Sequence, residues 1–390
     1  MTRPLDGVVV VEAGEGITAA YCTQIMAVLG AEVVKVEPPG GDHTRRLGPF
    51  PNDLPDPERS GLFLHLNHNK RSITLDLDTA TGQDLFRSIV RGVGIVVEDF
   101  APGHLDERGL GYEALSQDHE SLVMTSVTPF GQSGPYRDYR ATELTLFALG
   151  GLANLVGSIS REPLKFGGSP ALHAAGVSAF SATLMALYLA EEAGVGQHVD
   201  VSVMEGLAAS HFQDLAEYDY HGLVRRRGEL RTPIPCQDGF VSFAYQAQQY
   251  ADFRRLILGD GAPEEDIDAA TIEQRRREGE LDTEILVWSY DKTKEQAYRL
   301  AQEAHVPAAY LADMSDVVAS PQYAAREYFV EIDHPKAGAL RYPGLPAKLT
   351  DVDWEYASAP LLGQHTNEIL KQFTDLTDDE IAEVTAAGVL

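Results

Sequence analysis

The sequence predicts an α/β protein: an open, doubly wound parallel sheet followed by a smaller α+β domain. Three observations predict it. The β-branched run Val8-Val9-Val10-Val11 suits a strand buried on both faces. A glycine-containing turn, a helical pattern and a second strand follow it within forty residues. This alternation persists to about residue 205, after which the character of the chain changes.

Taken in order, Gly14 and Gly16 follow the first strand and a helix begins near Thr18. Cys22, Ile25, Met26 and Leu29 fall at i, i+3, i+4 and i+7 and so share one face. Gly30 ends that helix, and Glu32-Val33-Val34-Lys35-Val36 is the second strand of a βαβ unit with parallel pairing. Ser72-Ile73-Thr74-Leu75 is a strand, residues 79–92 a helix, and Ile95-Val96-Val97 a strand. Residues 122–127 extend the sheet. A long helix over about 174–193 places Val177, Phe180, Leu184, Leu187 and Tyr188 on one side, and Gly194-Val195-Gly196 stops it before the strand at 198–203. Residues 222–320 carry Arg225-Arg226-Arg227, the turn Gln237-Asp238-Gly239 and a charged helical stretch at 271–280, the marks of a separate α+β domain. The last seventy residues return to strand and helix patterns and end in a polar helix beginning near Thr377.

Composition narrows the function classes. With 390 residues, 44% hydrophobic and 23% charged, the chain is a folded protein of two or three domains. Lys+Arg of 31 against Asp+Glu of 59 gives −28, a surface that repels phosphate backbones and anionic lipid, so neither nucleic acid nor membrane is an expected partner. Cys22 and Cys236 stand far apart without C-x-x-C spacing, and no leader pattern opens the chain, which fits a reducing cytoplasm. No stretch approaches the roughly 18 uninterrupted apolar residues of a membrane helix.

Twelve histidines raise the question of a metal, but none makes a His-x-x-x-His beside an acidic ligand, and His65 and His68 straddle a loop; no metal site is expected. Neither Gly-x-Ser-x-Gly nor a P-loop is present. Gly14-Glu15-Gly16 hints at a dinucleotide loop whose third glycine is replaced by Ala19. Against the acidic background, Arg45-Arg46 and Lys70-Arg71 concentrate positive charge in glycine- and asparagine-rich loops at strand ends. Such clusters either take a phosphorylated small molecule or pair with surrounding carboxylates.

Spelled out, these loops resemble a known family. Gly30-Ala31-Glu32-Val33-Val34-Lys35-Val36-Glu37-Pro38, Gly41-Asp42-His43-Thr44-Arg45, Asn69-Lys70-Arg71-Ser72-Ile73-Thr74-Leu75-Asp76-Leu77 and Val97-Glu98-Asp99-Phe100-Ala101-Pro102-Gly103 resemble the family III CoA-transferases, which include formyl-CoA transferase and the 2-methylacyl-CoA racemases. The resemblance continues through Phe130-Gly131-Gln132-Ser133-Gly134-Pro135-Tyr136, Gly194-Val195-Gly196-Gln197-His198-Val199-Asp200 and Pro360-Leu361-Leu362-Gly363-Gln364-His365-Thr366. It implies a Rossmann-like large domain at 1–205, a small α+β domain with linkers at 206–325 and a return to the large domain at 326–390, with two subunits interlocked as rings. It further implies coenzyme A or acyl-CoA as substrate, with Arg45, Lys70 and Arg71 near its phosphates and Asp99 and Phe100 near adenine and pantetheine. Most relatives have Asn at the position of Asp99, and the usual arginine after the Pro-Gly loop is displaced to Arg108.

In the family's chemistry an aspartate attacks the acyl-CoA thioester to form a mixed anhydride. Released CoA thiolate then attacks the enzyme's carboxyl carbon, and the aspartyl-CoA thioester so formed is resolved by a second acid. The family places that Asp four residues before a glycine at the start of the long helix; counted back from Gly176, the position here is Leu172. Leucine cannot attack a thioester. Thr142 stands where the racemases carry a His, so racemase chemistry lacks both its groups. Glu143 and His173 are the candidates for a substitute, and each is equally a structural residue. The pattern resembles the aspartate-lacking subunit of a benzylsuccinate-type heteromer, which works with a homologous Asp-bearing partner. Three functions follow as expectations: such a silent subunit moving CoA between a dicarboxylate such as succinate and another organic acid, an active homodimer using Glu143 or His173, and a CoA-binding regulatory protein.

Overall fold

The computed structural model describes residues 3–225, 227, 233–244, 247–259, 262 and 268–390; Arg226 of the arginine run lies outside the described residues. The opening βαβ unit is β1 (Val9–Ala13), α1 (Thr18–Val28) and β2 (Glu32–Glu37), with β1 and β2 parallel. Next come α2 (Gly61–Asn67), β3 (Arg71–Thr74), α3 (Ala80–Val90), β4 (Ile95–Glu98), α4 (Tyr112–Leu115), β5 (Val123–Thr128), α5 (Glu143–Leu149), α6 (Pro170–Ala193), β6 (Gln197–Ser202), α7 (Val203–Ala209) and α8 (Phe212–His221). The six strands form a parallel sheet in the order β3-β2-β1-β4-β5-β6.

Strand alternation explains the valine runs. Val10, Val33, Ile95 and Val123 face one core with Cys22, Met26 and the buried alanines of α6. Val11, Val34 and Val96 face the other, with Phe86 and Ile89 of α3. Both faces are covered, so neither tolerates a polar alternation.

α6 begins at Pro170, four residues before the expected start, because proline at the first helical position forfeits an N–H that would be unpaired anyway. Its buried stripe is made of small residues, Ala175, Gly176, Ala179, Thr183, Ala186 and Ala190. Phe180, Leu184 and Leu187 pack at the margin of that core, whereas Val177 and Tyr188, expected beside them, are exposed. The helix is long and apolar enough by length and composition to cross a membrane, although His173, Ser178, Ser181 and Thr183 interrupt its apolar run. Its small-residue stripe packs on α1 and β5, which places one face in a protein core.

The smaller unit holds β7 (Ile234–Pro235), β8 (Phe240–Phe243), α9 (Tyr250–Leu258), α10 (Ala269–Arg277), α11 (Glu280–Ser289), α12 (Lys294–Glu303), β9 (Ala308–Tyr310), α13 (Met314–Ala319) and α14 (Pro321–Ala325). Its three strands are antiparallel, and Phe243, Phe253, Leu281, Ile285 and Ala297 form its core. The charged stretch expected at 271–280 is two helices, divided at Gly279 with φ 74°. The chain then adds the hairpin β10 (Phe329–His334) and β11 (Gly338–Pro343), and α15 (Thr366–Phe373) and α16 (Asp378–Ala386), the last capped by Thr377. Ile369, Leu370 and Ile381 of these helices join the α3 core.

Two compact units result: Met1–Val156, Pro163–Arg226 and Glu327–Leu390 in one, Gly157–Glu162 and Arg227–Arg326 in the other. Residues beyond 205 stay with the first unit because α7 packs on α5 and α6.

A Cβ on Gly176 would lie 3.0 Å from the Thr18 carbonyl and 3.1 Å from Tyr21 Cβ, so this glycine sets the approach of α6 to α1. Gly176→Val is expected to lower stability by about 1–3 kcal/mol. Chemical denaturation would record it as a lower midpoint at unchanged slope.

Candidate functional site

In a sheet of this order the ligand crevice lies beyond the carboxyl ends of the strands, where the order reverses between β1 and β4. Asp99, one residue past β4, reaches the turn after β1. Its carboxylate accepts the N–H of Glu15 at 3.1 Å, the N–H of Ala19 at 3.2 Å and the Thr18 hydroxyl at 2.7 Å. A Cβ on Gly14 would come within 2.3 Å of that carboxylate, and one on Gly16 within 2.7 Å. The Gly-x-Gly spacing is therefore explained by an internal anion, which takes the amide donors that a dinucleotide pyrophosphate would use. Burial raises the Asp99 pKa above the usual carboxylate range, against the bonds from Thr18 and Ala19.

Beside it opens a cavity of about 160 Å³ lined by Val36, Pro38, Leu75, Leu77, Phe100 and His104, with Glu15, Glu37, Asp76 and Asp78. Phe100 and His104 stack at 4.4 Å, and burial lowers the His104 pKa. Arg108, not itself a lining residue, is bonded to Asp78 and to the His104 carbonyl. The result is a flat apolar slot with an acidic rim, suited to a ring with amino donors.

The other expected cations do not reach this slot. Lys70 is buried, with Nζ 2.7 Å from Glu12 and 2.8 Å from the Ala20 carbonyl. Lys35 shares the same Glu12 at 2.6 Å and pairs with Asp42 at 2.7 Å. Arg45 lies buried 3.6 Å over the Phe63 ring, clamped by Glu37 and Glu58. Arg71 is bound by Glu32 and Glu368. Burial would raise the Glu12 pKa, but the two lysines hold it down to about 2. Burial lowers Lys70 to about 8 against the pull of Glu12. Of the residues expected near CoA phosphates, Arg45 and Lys70 are thus interior ion-pair members, because carboxylates remote in sequence claim them. Arg46, beside Arg45, is exposed with no ion pair among the described residues.

Leu172 is the third residue of α6 and packs against the α1 core. Glu143, first residue of α5, accepts the N–H groups of Ala171 at 3.0 Å and Leu172 at 3.2 Å, filling the helix start with a carboxylate. His173 bonds the Ser169 carbonyl through Nδ1 at 2.7 Å, and its ring stands edge-on to Tyr21 at 4.8 Å. Thr142 caps α5 reciprocally with Thr145. All four have structural partners.

Residues 5–366 match CoA-transferase family III. The chain belongs to that family. Family III enzymes use CoA thioesters as substrates and need no metal; among the described residues no group of three or more His, Cys, Asp or Glu could hold one. The chain is 35% identical to succinyl-CoA–D-citramalate CoA-transferase of Chloroflexus aurantiacus, over 100% of this chain and 98% of that one. It is 33% identical to succinyl-CoA:(R)-benzylsuccinate CoA-transferase subunit BbsE of Thauera aromatica, over 91% of each. A crystal structure of a CAIB/BAIF family protein from Brucella suis superposes with a TM-score of 0.84 at 26% identity, covering 96% of this chain and 100% of that one.

Sequence reasoning missed Glu98 and His104. Glu98 ends β4, buried, and accepts the Phe100 N–H at 2.8 Å. Burial pushes its pKa up to about 8, opposed by hydrogen bonds from Ser126 and Phe100. Between pH 4.5 and about 8 the folded carboxyl keeps a proton that the unfolded one releases, so this group makes stability fall as pH rises through that window. The slope is at most about 1.4 kcal/mol per pH unit. Glu98→Gln removes it: denaturation across the window is expected to find the variant gaining on the native protein as pH rises, and parallel pH profiles would refute the assignment.

Proposed function

We propose that this chain is the non-nucleophilic subunit of a heteromeric family III CoA-transferase. The complex moves CoA between a dicarboxylate such as succinate and another organic acid. The observation that carries the proposal is Leu172 with its surroundings: four residues before Gly176, where the resemblance puts the family's aspartate, the side chain is aliphatic and packs half-buried against the core. Both neighbouring substitutes are committed. The Glu143 carboxylate caps α6 through two amide donors, and the His173 Nδ1 is taken by a carbonyl.

The homologous partner supplies the attacking aspartate. Its carboxylate oxygen forms the bond to the acyl carbon, and the CoA thiolate leaves. That thiolate then attacks the partner's aspartyl carbonyl and expels the first acid as its carboxylate. The names of the relatives support both parts, a succinyl-CoA donor in each and, in one, a chain that is a subunit of its CoA-transferase.

The surface supports a partner as well. Leu144 and Leu149 of α5, Val177, Met185, Tyr188 and Leu189 of α6, and Phe212, Leu215 and Tyr218 of α8 are exposed, more apolar surface than a monomer ordinarily leaves open. A homologous chain interlocked with this one covers it. In this reading the slot at Phe100 and His104 accepts the adenine ring of CoA, with Asp99 and Arg108 at its edge. Glu15, Asp76 and Asp78 line that slot and repel phosphate while Arg45 and Lys70 stay buried, so in this reading the CoA phosphates in turnover are held by the partner. The two free cysteines, Cys22 and Cys236, fit a reducing cytoplasm.

The test is to purify the chain alone and together with a homologous Asp-bearing family III chain, and to assay CoA transfer from succinyl-CoA. Activity is expected only in the mixture, with hydroxylamine trapping the acylated carboxylate on the partner. Transfer at an ordinary rate by the isolated chain, or an adduct on Glu143, sinks the proposal.

A further inference from the structure

The two edges of the parallel sheet are finished differently. At β3 the chain closes its own edge: the His365 N–H donates to the Ser72 carbonyl at 2.9 Å, and the Thr366 hydroxyl accepts the Thr74 N–H at 3.1 Å. At β6 nothing does so. The Gln197 N–H donates to the Leu122 carbonyl at 3.1 Å, on the β5 side, so alternation along the strand turns the main chain of His198 and Asp200 outward. Both residues are exposed, and among the described residues no hydrogen bond reaches their main-chain groups from beyond the sheet. With neither proline nor lysine in it, this strand leaves its edge open to a second strand.

The side chains select that strand. Within the chain, the His198 Nε2 meets the Ser126 hydroxyl at 2.9 Å, and the Asp200 carboxylate accepts the Gln132 N–H at 3.0 Å. The His198 Nδ1 has no partner among the described residues, and a carboxylate has lone pairs beyond those that one N–H uses. In one continuous sheet, residues directly opposite each other share a face, so two identical antiparallel strands must have their two-fold axis on a residue. An axis at His198 or at Asp200 sets that residue against its own copy, like against like. An axis at Val199 instead sets His198 opposite Asp200 twice, with half-buried Val199 against itself and Gln197 against Val201. The outward main-chain groups match in the same register, residues 198 and 200 of each strand exchanging N–H and C=O with 200 and 198 of the other.

We propose that β6 pairs antiparallel with β6 of a second copy of this chain about a two-fold axis at Val199, joining the two sheets edge to edge. The edge shares no residue with the exposed faces of α5, α6 and α8, so the proposal does not rest on the silent-subunit reading. Taken with that reading, it gives a complex of two chains of each kind.

The test uses the full-length chain carrying Cys236→Ser, which leaves only the buried Cys22. Val199→Cys puts two thiols at the axis, where opposite Cα atoms of a non-hydrogen-bonded pair stand about 4.5 Å apart, within disulfide range. Val201→Cys lies on the same face, but its two copies are four residues out of register, roughly 13 Å apart. Mild oxidation is expected to yield a covalent dimer from the first variant and none from the second. Sedimentation of the native chain should show a monomer–dimer equilibrium that Asp200→Lys weakens tenfold or more and that adding His198→Glu restores. The double variant still lacks the carboxylate on the Gln132 amide, so its recovery reports the cross-strand pair and not the fold of the loop. A native chain that stays monomeric, equal cross-linking at 199 and 201, a dimer that cross-links at neither, or no recovery in the double variant overturns the proposal.

Discussion

The constraint on which the rest of this structure depends is charge neutralisation at the carboxyl end of the sheet. Glu12 and Glu37 leave β1 and β2 buried, and neither can remain ionised there without a cation in contact. Lys35 and Lys70 meet Glu12, and Arg45 meets Glu37 with both of its forked donors. Ser72 and the Asp42 amide complete the shell around Glu37. The network ties β1, β2, the turn at 42–45 and the start of β3 into one rigid edge. Its consequence for function is that positive charge conspicuous in the sequence is spent inside the protein, and what faces the crevice is acidic.

Asp99 extends the same logic to the loop after β1. A dinucleotide fold leaves amide donors free at this point for a diphosphate. Here the donors of Glu15, Thr18 and Ala19 are filled by a side chain that the next strand of the crevice delivers. Glycine is needed at 14 and 16 because the carboxylate comes so close. The same sequence spacing thus arises from two different anions, one external and one built in, and only the position of Asp99 tells them apart.

The sheet was legible in the sequence because its inner strands, buried on both faces, leave apolar, largely β-branched runs, while the edge strands β3 and β6 were marked by shorter or alternating patterns beside turns. The face of α6 was misjudged for a physical reason. Helix packing that close selects small residues, so the alanines mark the buried stripe, Phe180, Leu184 and Leu187 flank it, and Val177 and Tyr188 point outward. Arg45 and Lys70 were ambiguous because a charge beside a glycine loop reads alike whether its partner is a ligand or a distant carboxylate. Lys70 finds Glu12 at a separation of 58 residues, which no local pattern records. Leu172 carries meaning only through family resemblance; by composition alone it is one more apolar residue of a helix.

On the proposal that this chain is a silent subunit, it is retained because its partner depends on it, and its exposed apolar side chains support that reading. The exposed apolar side chains of α5, α6 and α8 are ones that water stabilises poorly; Met185 and Tyr188 are each 68% exposed. In the proposed heteromer each homologous chain would cover the equivalent surface of the other, so deleting the silent member would uncover the active one. Selection on such a chain acts on its shape and interface and is relaxed on its own chemistry. The proposal thus accounts for a family III scaffold matched over residues 5–366 that combines a carboxylate-capped helix start, a leucine and an aspartate that fills the donors after the first strand.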